Sequence, residues 1–186
     1  IISFWRDFPE IKVNQVTQDH PFQNARDFDF VISYGPTHDL SLDQAPLYRD
    51  ELVPVASDEL AVRLQSLSVA ELAQERLIHL DTANSSWTSW REWFGHFGYK
   101  GDIAYGRRVT SYSVALQIAC KGAGVALGWH RLVQPMIESG KLTIVNRQSM
   151  PAPHQFYLVG LPDAKLSAGA RALKDWILED FAKRTI

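Results

Sequence analysis

The sequence holds a single cysteine, Cys120, among its 186 residues. One thiol closes no internal disulfide, so the fold must rest on its apolar core, as proteins of a reducing cytoplasm do. No apolar run approaches the ~20 residues that cross a bilayer, and no secretory leader is recognisable. A cytoplasmic protein without a membrane partner is expected. An excess of charge of either sign is also missing: 19 Lys and Arg stand against 21 Asp and Glu, a formal net charge of -2. The only adjacent basic pairs are Arg107-Arg108 and Lys183-Arg184, read as solvated surface. A chain that neutralises phosphates over a broad face would carry a basic stripe, so this chain is not expected to hold DNA by itself.

Catalytic signatures are equally scarce. The sequence has no Gly-x-Ser-x-Gly elbow, no Walker A loop and no His-Glu-x-x-His. Its six histidines (His20, His38, His79, His96, His130, His154) stand far apart, without metal-ligand spacing. Glu92 and His96, four residues apart on an expected helix, read as a surface pair. Cys120 lies in an apolar helical stretch and reads as an inert buried thiol. Gly122, Gly124 and Gly128 follow a helix and open a strand, whereas dinucleotide-binding glycines follow a strand and open a helix. Asn84-Ser85-Ser86 spells a glycosylation sequon, taken as coincidence in a cytoplasmic chain. No catalytic residue, no metal and no cofactor is expected.

What is present is an ordinary globular composition, 46% hydrophobic and 22% charged, long enough for one large domain or two lobes with real cores. Ile1, Phe4, Trp5 and Phe8 recur at i, i+3, i+4 and i+7, the stripe of a core-facing helix, and Pro9 closes it. No capping residue precedes the stripe, as expected of a helix entered from an upstream strand. Alternation predicts a strand over Ile11–Thr17 and irregular chain over Asp19–Asp27. The run Phe28–Tyr34, ended by Gly35-Pro36, reads as a buried parallel strand.

Further strands are expected at Leu47–Ala56, Arg76–Leu80, Ile103–Val109, Gly124–Trp129, Lys141–Asn146 and Gln155–Gly160. Helices are expected between them: after Asp58, after Ser68 with Glu71 in capping-box spacing, up to Phe97, from Thr110 to Gly122, over Leu132–Ser139, and after Ser167. Strands alternating with helices argue for α/β architecture with largely parallel sheets.

Polar turns recur at strand ends: Tyr34-Gly35-Pro36, Asp81 through Asn84, Ser85 and Ser86 to Trp87, Thr110-Ser111-Tyr112, and Trp129-His130. Each hydroxyl taken singly serves as a helix cap. Their recurrence after four strands matches the crevice in which open α/β sheets bind ligands.

Five segments in order resemble the effector-binding domain of LysR-type transcriptional regulators, over essentially the whole chain. They are ISFWRDFPEIKVNQVT, FDFVISYGP, LYRDELVPVAS with SVAELAQERLIHLD, SYSVALQIACKGAGVALGW, and GKLTIV. The wording is nearest the glycine-cleavage-activator-like branch, with some likeness to regulators of choline-sulfate utilisation. Trp129 departs from the pattern, where many members carry proline.

The resemblance implies a fold like type-2 periplasmic solute-binding proteins: two Rossmann-like lobes joined by crossing strands, the first strand lying outside the chain. Lobe I would be 1–57 with 151–186 and lobe II 58–150, a ligand sitting between them. It also implies that promoter DNA is read only by an N-terminal winged helix-turn-helix, absent from this chain, and that the protein forms a homodimer or higher homo-oligomer.

By the family's pattern the ligand contacts are Tyr34, Gly35, Pro36, Asp81, Asn84, Ser85, Ser86, Trp87, Thr110, Ser111, Tyr112, Trp129 and His130. Hydroxyls and helix-start N–H groups suit a polar or anionic metabolite. The aromatic rings of Trp87 and Trp129, with Tyr34, Tyr112 and Asp81 near them, would suit a choline-type quaternary ammonium. The other reading of these tryptophans is plain core packing. The alternative function is a transporter's solute-binding protein on the same fold.

Overall fold

A computed structural model describes residues 1–17, 27–81 and 87–183. The chain forms two compact units, one of residues 1–49 with 154–186, the other of 50–153. The chain passes between them at Arg49/Asp50 and Pro153/His154, rather than at 57/58 and 150/151. The segment 50–57 joins the second unit because its strand is the hydrogen-bonding hub of that unit's sheet.

In the first unit, helix α1 (Ile2–Asp7) buries Phe4 completely. The Phe4 ring stacks on Phe8 at 4.8 Å and meets the edge of Trp176 at 5.7 Å. Trp5 and Ile2 face outward, 42% and 79% exposed. Strands β1 (Phe30–Tyr34) and β2 (Asp43–Tyr48) flank β9 (Phe156–Gly160) and run antiparallel to it. The closing helix α7 (Ala168–Lys183) begins at Ser167, whose hydroxyl accepts the Ala170 N–H at 3.1 Å. Stacked Tyr48–Phe156 and Tyr48–Phe181 rings tie α7 to this sheet. The expected strand Ile11–Thr17 is not formed. Its alternating pattern is present, but no ladder partner lies among the described residues, and alternation without pairing makes no strand.

In the second unit, β3 (Glu51–Ala56) pairs antiparallel with β6 (Ala126–Trp129), β7 (Thr143–Ile144) and β8 (Met150–Pro151). Strands β4 (Ile78–Leu80) and β5 (Arg107–Val109) pair in parallel, and a parallel bridge from Leu77 to Val125 joins β4 to the start of β6. The single expected strand Leu47–Ala56 is therefore two, split at Arg49-Asp50. The largely parallel ladders that were expected are mostly antiparallel, because β3 and β9, the strands that follow the passages between units, run against their neighbours. The expected strands at Arg76–Leu80 and Ile103–Val109 keep only their last three residues.

Helices α2 (Asp58–Leu64), α3 (Val69–Leu72), α4 (Trp90–His96), α5 (Tyr112–Cys120) and α6 (His130–Glu138) complete this unit. Ser57, not Asp58, is the N-cap of α2. Both α3 and α4 start with a full capping box, Ser68/Glu71 and Ser89/Glu92, so Glu92 serves its own helix start rather than His96.

Trp90, Trp93 and Phe94 of α4 are buried, each side chain contributing ~1.5–3 kcal/mol by leaving water. Their two indoles also find acceptors: Trp90 Nε1–H donates to the Ile78 carbonyl at 2.9 Å and Trp93 Nε1–H to Leu52 at 3.1 Å. Gly98, at φ 80°, ends this helix in the left-handed conformation that glycine alone adopts without strain. Cys120 is partly buried against the core rather than fully buried. Among the described residues no helix is long and apolar enough to cross a membrane.

Candidate ligand-binding site

Strands β4 and β5 run in parallel, and β6 follows the same direction through its bridge to β4. Their carboxyl ends therefore lie along one edge of the second unit, and there the chain turns into Asp81, Thr110 and His130. Asp81 N–H donates to the Val109 carbonyl at 2.7 Å, which joins the first two turns.

An open pocket of about 320 Å³ lies on this edge, lined by Asp81, Arg108, Val109, Thr110, Ser111 and Val114. Arg108 holds Asp81 at 3.1 Å, both side chains being about half exposed. Such a pair is worth at most ~1 kcal/mol and opens readily. Ser111 caps α5 by position, but its side chain makes no cap bond and instead meets the Ser113 hydroxyl at 3.0 Å. The first N–H groups of α5 thus receive no oxygen from the Ser111 side chain, in a pocket that also holds a guanidinium. Hydroxyls, a helix start without a side-chain cap and a guanidinium that can leave its partner suit a polar or anionic group.

The start of α6 is built differently. Its N-cap Trp129 offers no side-chain cap bond, yet two of the amides there are bonded by side chains from elsewhere. The Trp129 N–H donates to the Tyr112 hydroxyl at 2.9 Å. The Arg131 N–H donates to both carboxylate oxygens of Asp50, at 3.1 and 3.3 Å, and the Glu51 N–H reaches the same Asp50 Oδ1 at 2.8 Å. Asp50 is only 5% exposed. Burial pushes its carboxyl above the ordinary value, against the N–H bonds from Glu51 and Arg131. Burial likewise pushes the Tyr112 phenol well above its ordinary value. At the Trp129-His130 turn the protein's own carboxylate occupies the place that an anion was expected to take.

Behind these turns lies a smaller cavity of about 50 Å³, whose lining includes His79, Trp87, Thr88, Trp90, Tyr112 and Trp129. The Trp87 ring is tilted against Tyr112 at 5.6 Å and meets Trp129 edge-on at 5.7 Å. Trp129 is 2% exposed, so it packs the core and walls the cavity together; the two readings of the tryptophans do not exclude each other. Asp81 is not part of this aromatic group and lines the outer pocket instead.

Tyr34, Gly35 and Pro36 belong to the first unit. Gly35 takes φ 86° and donates its N–H to the Gln155 carbonyl at 2.9 Å. The Tyr34 hydroxyl accepts the His154 N–H at 3.1 Å, with the Tyr34 ring edge-on to His154 at 5.5 Å. The expected contacts Asn84, Ser85 and Ser86 lie outside the described residues. Asp50, His79 and Thr88 were not foreseen: Asp50 bonds an amide 81 positions away in sequence, a pairing that no local pattern signals.

The family model described as LysR substrate binding domain matches residues 1–182. A "Glycine cleavage system transcriptional activator homolog" of Haemophilus influenzae is 28% identical over 169 residues, 91% of this chain and 55% of that protein. The "Glycine cleavage system transcriptional activator" of Escherichia coli K12 is 30% identical over 179 residues, 95% of this chain and 57% of that protein. The chain thus spans a little over half the length of these relatives. In structure, the effector domain of the transcriptional regulator AmpR of Pseudomonas aeruginosa superimposes with a TM-score of 0.80 at 20% identity, covering 98% of this chain and 87% of that one. With its fold matched and all but its last four residues spanned by the family model, the chain belongs to the LysR substrate-binding domain family.

Proposed function

We infer that the chain is the sensing part of a transcriptional regulator and that it takes a small polar metabolite at the carboxyl edge of the second unit's parallel strands. The observation that carries this reading is the convergence there of Asp81, Thr110, Ser111 and Arg108 around one open pocket, beside the unfilled start of α5. Asn84, Ser85, Ser86, Trp87, Tyr112, Trp129 and His130 of the same unit complete the proposed contact set. The relatives are named as transcriptional activators, which favours a regulator over a transporter's solute-binding protein.

The chain performs no turnover in this reading. It acts in the cytoplasm, and promoter DNA is contacted by a separate winged helix-turn-helix of the full-length regulator. Effector binding works by population shift, stabilising one state of the regulator by its higher affinity for that state. The domain forms a homodimer in which the exposed apolar face of α1, Ile2 and Trp5, takes part.

The test is operator binding by the full-length regulator, measured with and without the metabolite that stabilises the isolated domain. A metabolite-dependent change that disappears in Ser111→Ala or Arg108→Ala supports the reading. A metabolite that binds the domain and leaves operator binding and transcription unchanged contradicts it.

A further inference from the structure

Two buried polar atoms among the described residues have no hydrogen-bond partner: His79 Nε2 and Thr88 Oγ1. Both residues line the same cavity, with Trp87, Tyr112 and Trp129 as its aromatic wall. An orphaned buried acceptor costs the full desolvation of that group, and native structures keep few of them. Two on one cavity call for an occupant.

The chemistry of that occupant follows from the lining. The other ring nitrogen of His79 is engaged by the Ala104 backbone, which leaves Nε2 as the lone-pair nitrogen of a neutral imidazole. Burial, and then the neighbouring Arg108, hold the ring toward its neutral form, against the Ala104 bond and Asp81. Thr88 offers a second oxygen lone pair. The aromatic wall attracts a cation. A cation with at least two N–H donors satisfies all three features, and the smallest such head, suited to a space of about 50 Å³, is a primary ammonium. A quaternary ammonium answers the rings but leaves both acceptors orphaned. The space, about 50 Å³, is also well below the ~150 Å³ of a cavity that takes up benzene.

We propose that this cavity receives the primary ammonium head of a small metabolite, with His79 Nε2 and Thr88 Oγ1 accepting its N–H groups against Trp87, Tyr112 and Trp129. The proposal rests on the reading of the chain as a metabolite sensor and names the head group that the sensor takes. It sets aside the choline-type ligand that the tryptophans alone suggest.

The probes are ethanolamine, its N-methyl and N,N-dimethyl derivatives, and choline, titrated by tryptophan fluorescence at a pH where all four are cationic. Charge and hydroxyethyl group stay constant while N–H donors fall from three to none. Affinity is expected to fall about tenfold for each donor lost once fewer than two remain, with ethanolamine tightest. Thr88→Val deletes the acceptor and keeps the shape. Its Tm without ligand is expected to hold or rise, because an orphaned hydroxyl is removed, while ethanolamine binding weakens about tenfold; Thr88→Ser restores it.

Choline binding as tightly as ethanolamine, no binding by any of the four, or an unchanged ethanolamine affinity in Thr88→Val would each overturn the proposal. None of these outcomes touches the sensor reading, which is judged by whether any metabolite changes operator binding.

Discussion

Asp50 carries the sharpest consequence of this structure. Its Oδ1 accepts the N–H groups of Glu51 and Arg131, at 2.8 and 3.1 Å, and so caps α6 from the start of the neighbouring strand β3. Asp50→Ala leaves two amides without this acceptor. Each such loss costs ~1–3 kcal/mol when buried, and removing the buried carboxylate gives part of it back. A net destabilisation of about 2–3 kcal/mol is expected, which for a chain of this length lowers Tm by roughly 4–12 °C.

Asp50→Asn keeps an oxygen where Oδ1 stands and loses the charge, so it is expected within about 1 kcal/mol of the parent. The sign of the pH effect follows from the carboxyl being raised above its ordinary 3.8. Its contribution is fully present below about pH 3.8 and is lost as pH rises through the raised folded value. The stability of Asp50→Asn relative to the parent should therefore increase from pH 3.5 to pH 6.5. Urea unfolding followed by tryptophan fluorescence measures all three proteins. An Asp50→Asn variant as unstable as Asp50→Ala, or a relative stability that runs the other way with pH, would refute the reasoning.

Tyr112→Phe removes the acceptor of the buried Trp129 amide and should cost ~1–3 kcal/mol, read by the same unfolding curves. Gly128→Ala places a methyl group 3.0 Å from Val133 Cγ1 and 3.1 Å from Val55 Cγ2; overpacking of this kind costs ~1–3 kcal/mol, and thermal melts should show the loss. Trp5→Glu puts a charge on the exposed face of α1; if the proposed homodimer uses that face, sedimentation equilibrium should show a dimeric parent and a monomeric variant at the same concentration.

The elements legible in the sequence were those whose pattern is local. The capping box at Ser68/Glu71, the apolar face Trp90, Trp93, Phe94 and the left-handed Gly98 are each set within a single turn or helix, and each was readable. Strand direction was not, because whether β3 and β9 run with or against their neighbours depends on residues about a hundred positions away. Ile11–Thr17 shows the same limit: alternation marks a chain fit for a sheet, while the ladder needs a second strand.

The site divides the same way. Thr110, Ser111 and Asp81 stood out as polar residues at strand ends and do share one pocket. Asp50 looked like part of a continuous strand, and His79 and Thr88 carried no signal, because a lone polar atom gains meaning only from what fails to surround it.

The central claim, that the carboxyl edge of β4, β5 and β6 receives a metabolite, is tested most directly by titrating metabolites into the isotopically labelled domain and following its amide NMR spectrum. The account predicts saturable shifts concentrated at Asp81, Trp87, Thr110–Tyr112 and Trp129-His130, with the ligand recovered unchanged. A saturating ligand that shifts none of these amides, or one that is converted to product, would contradict it.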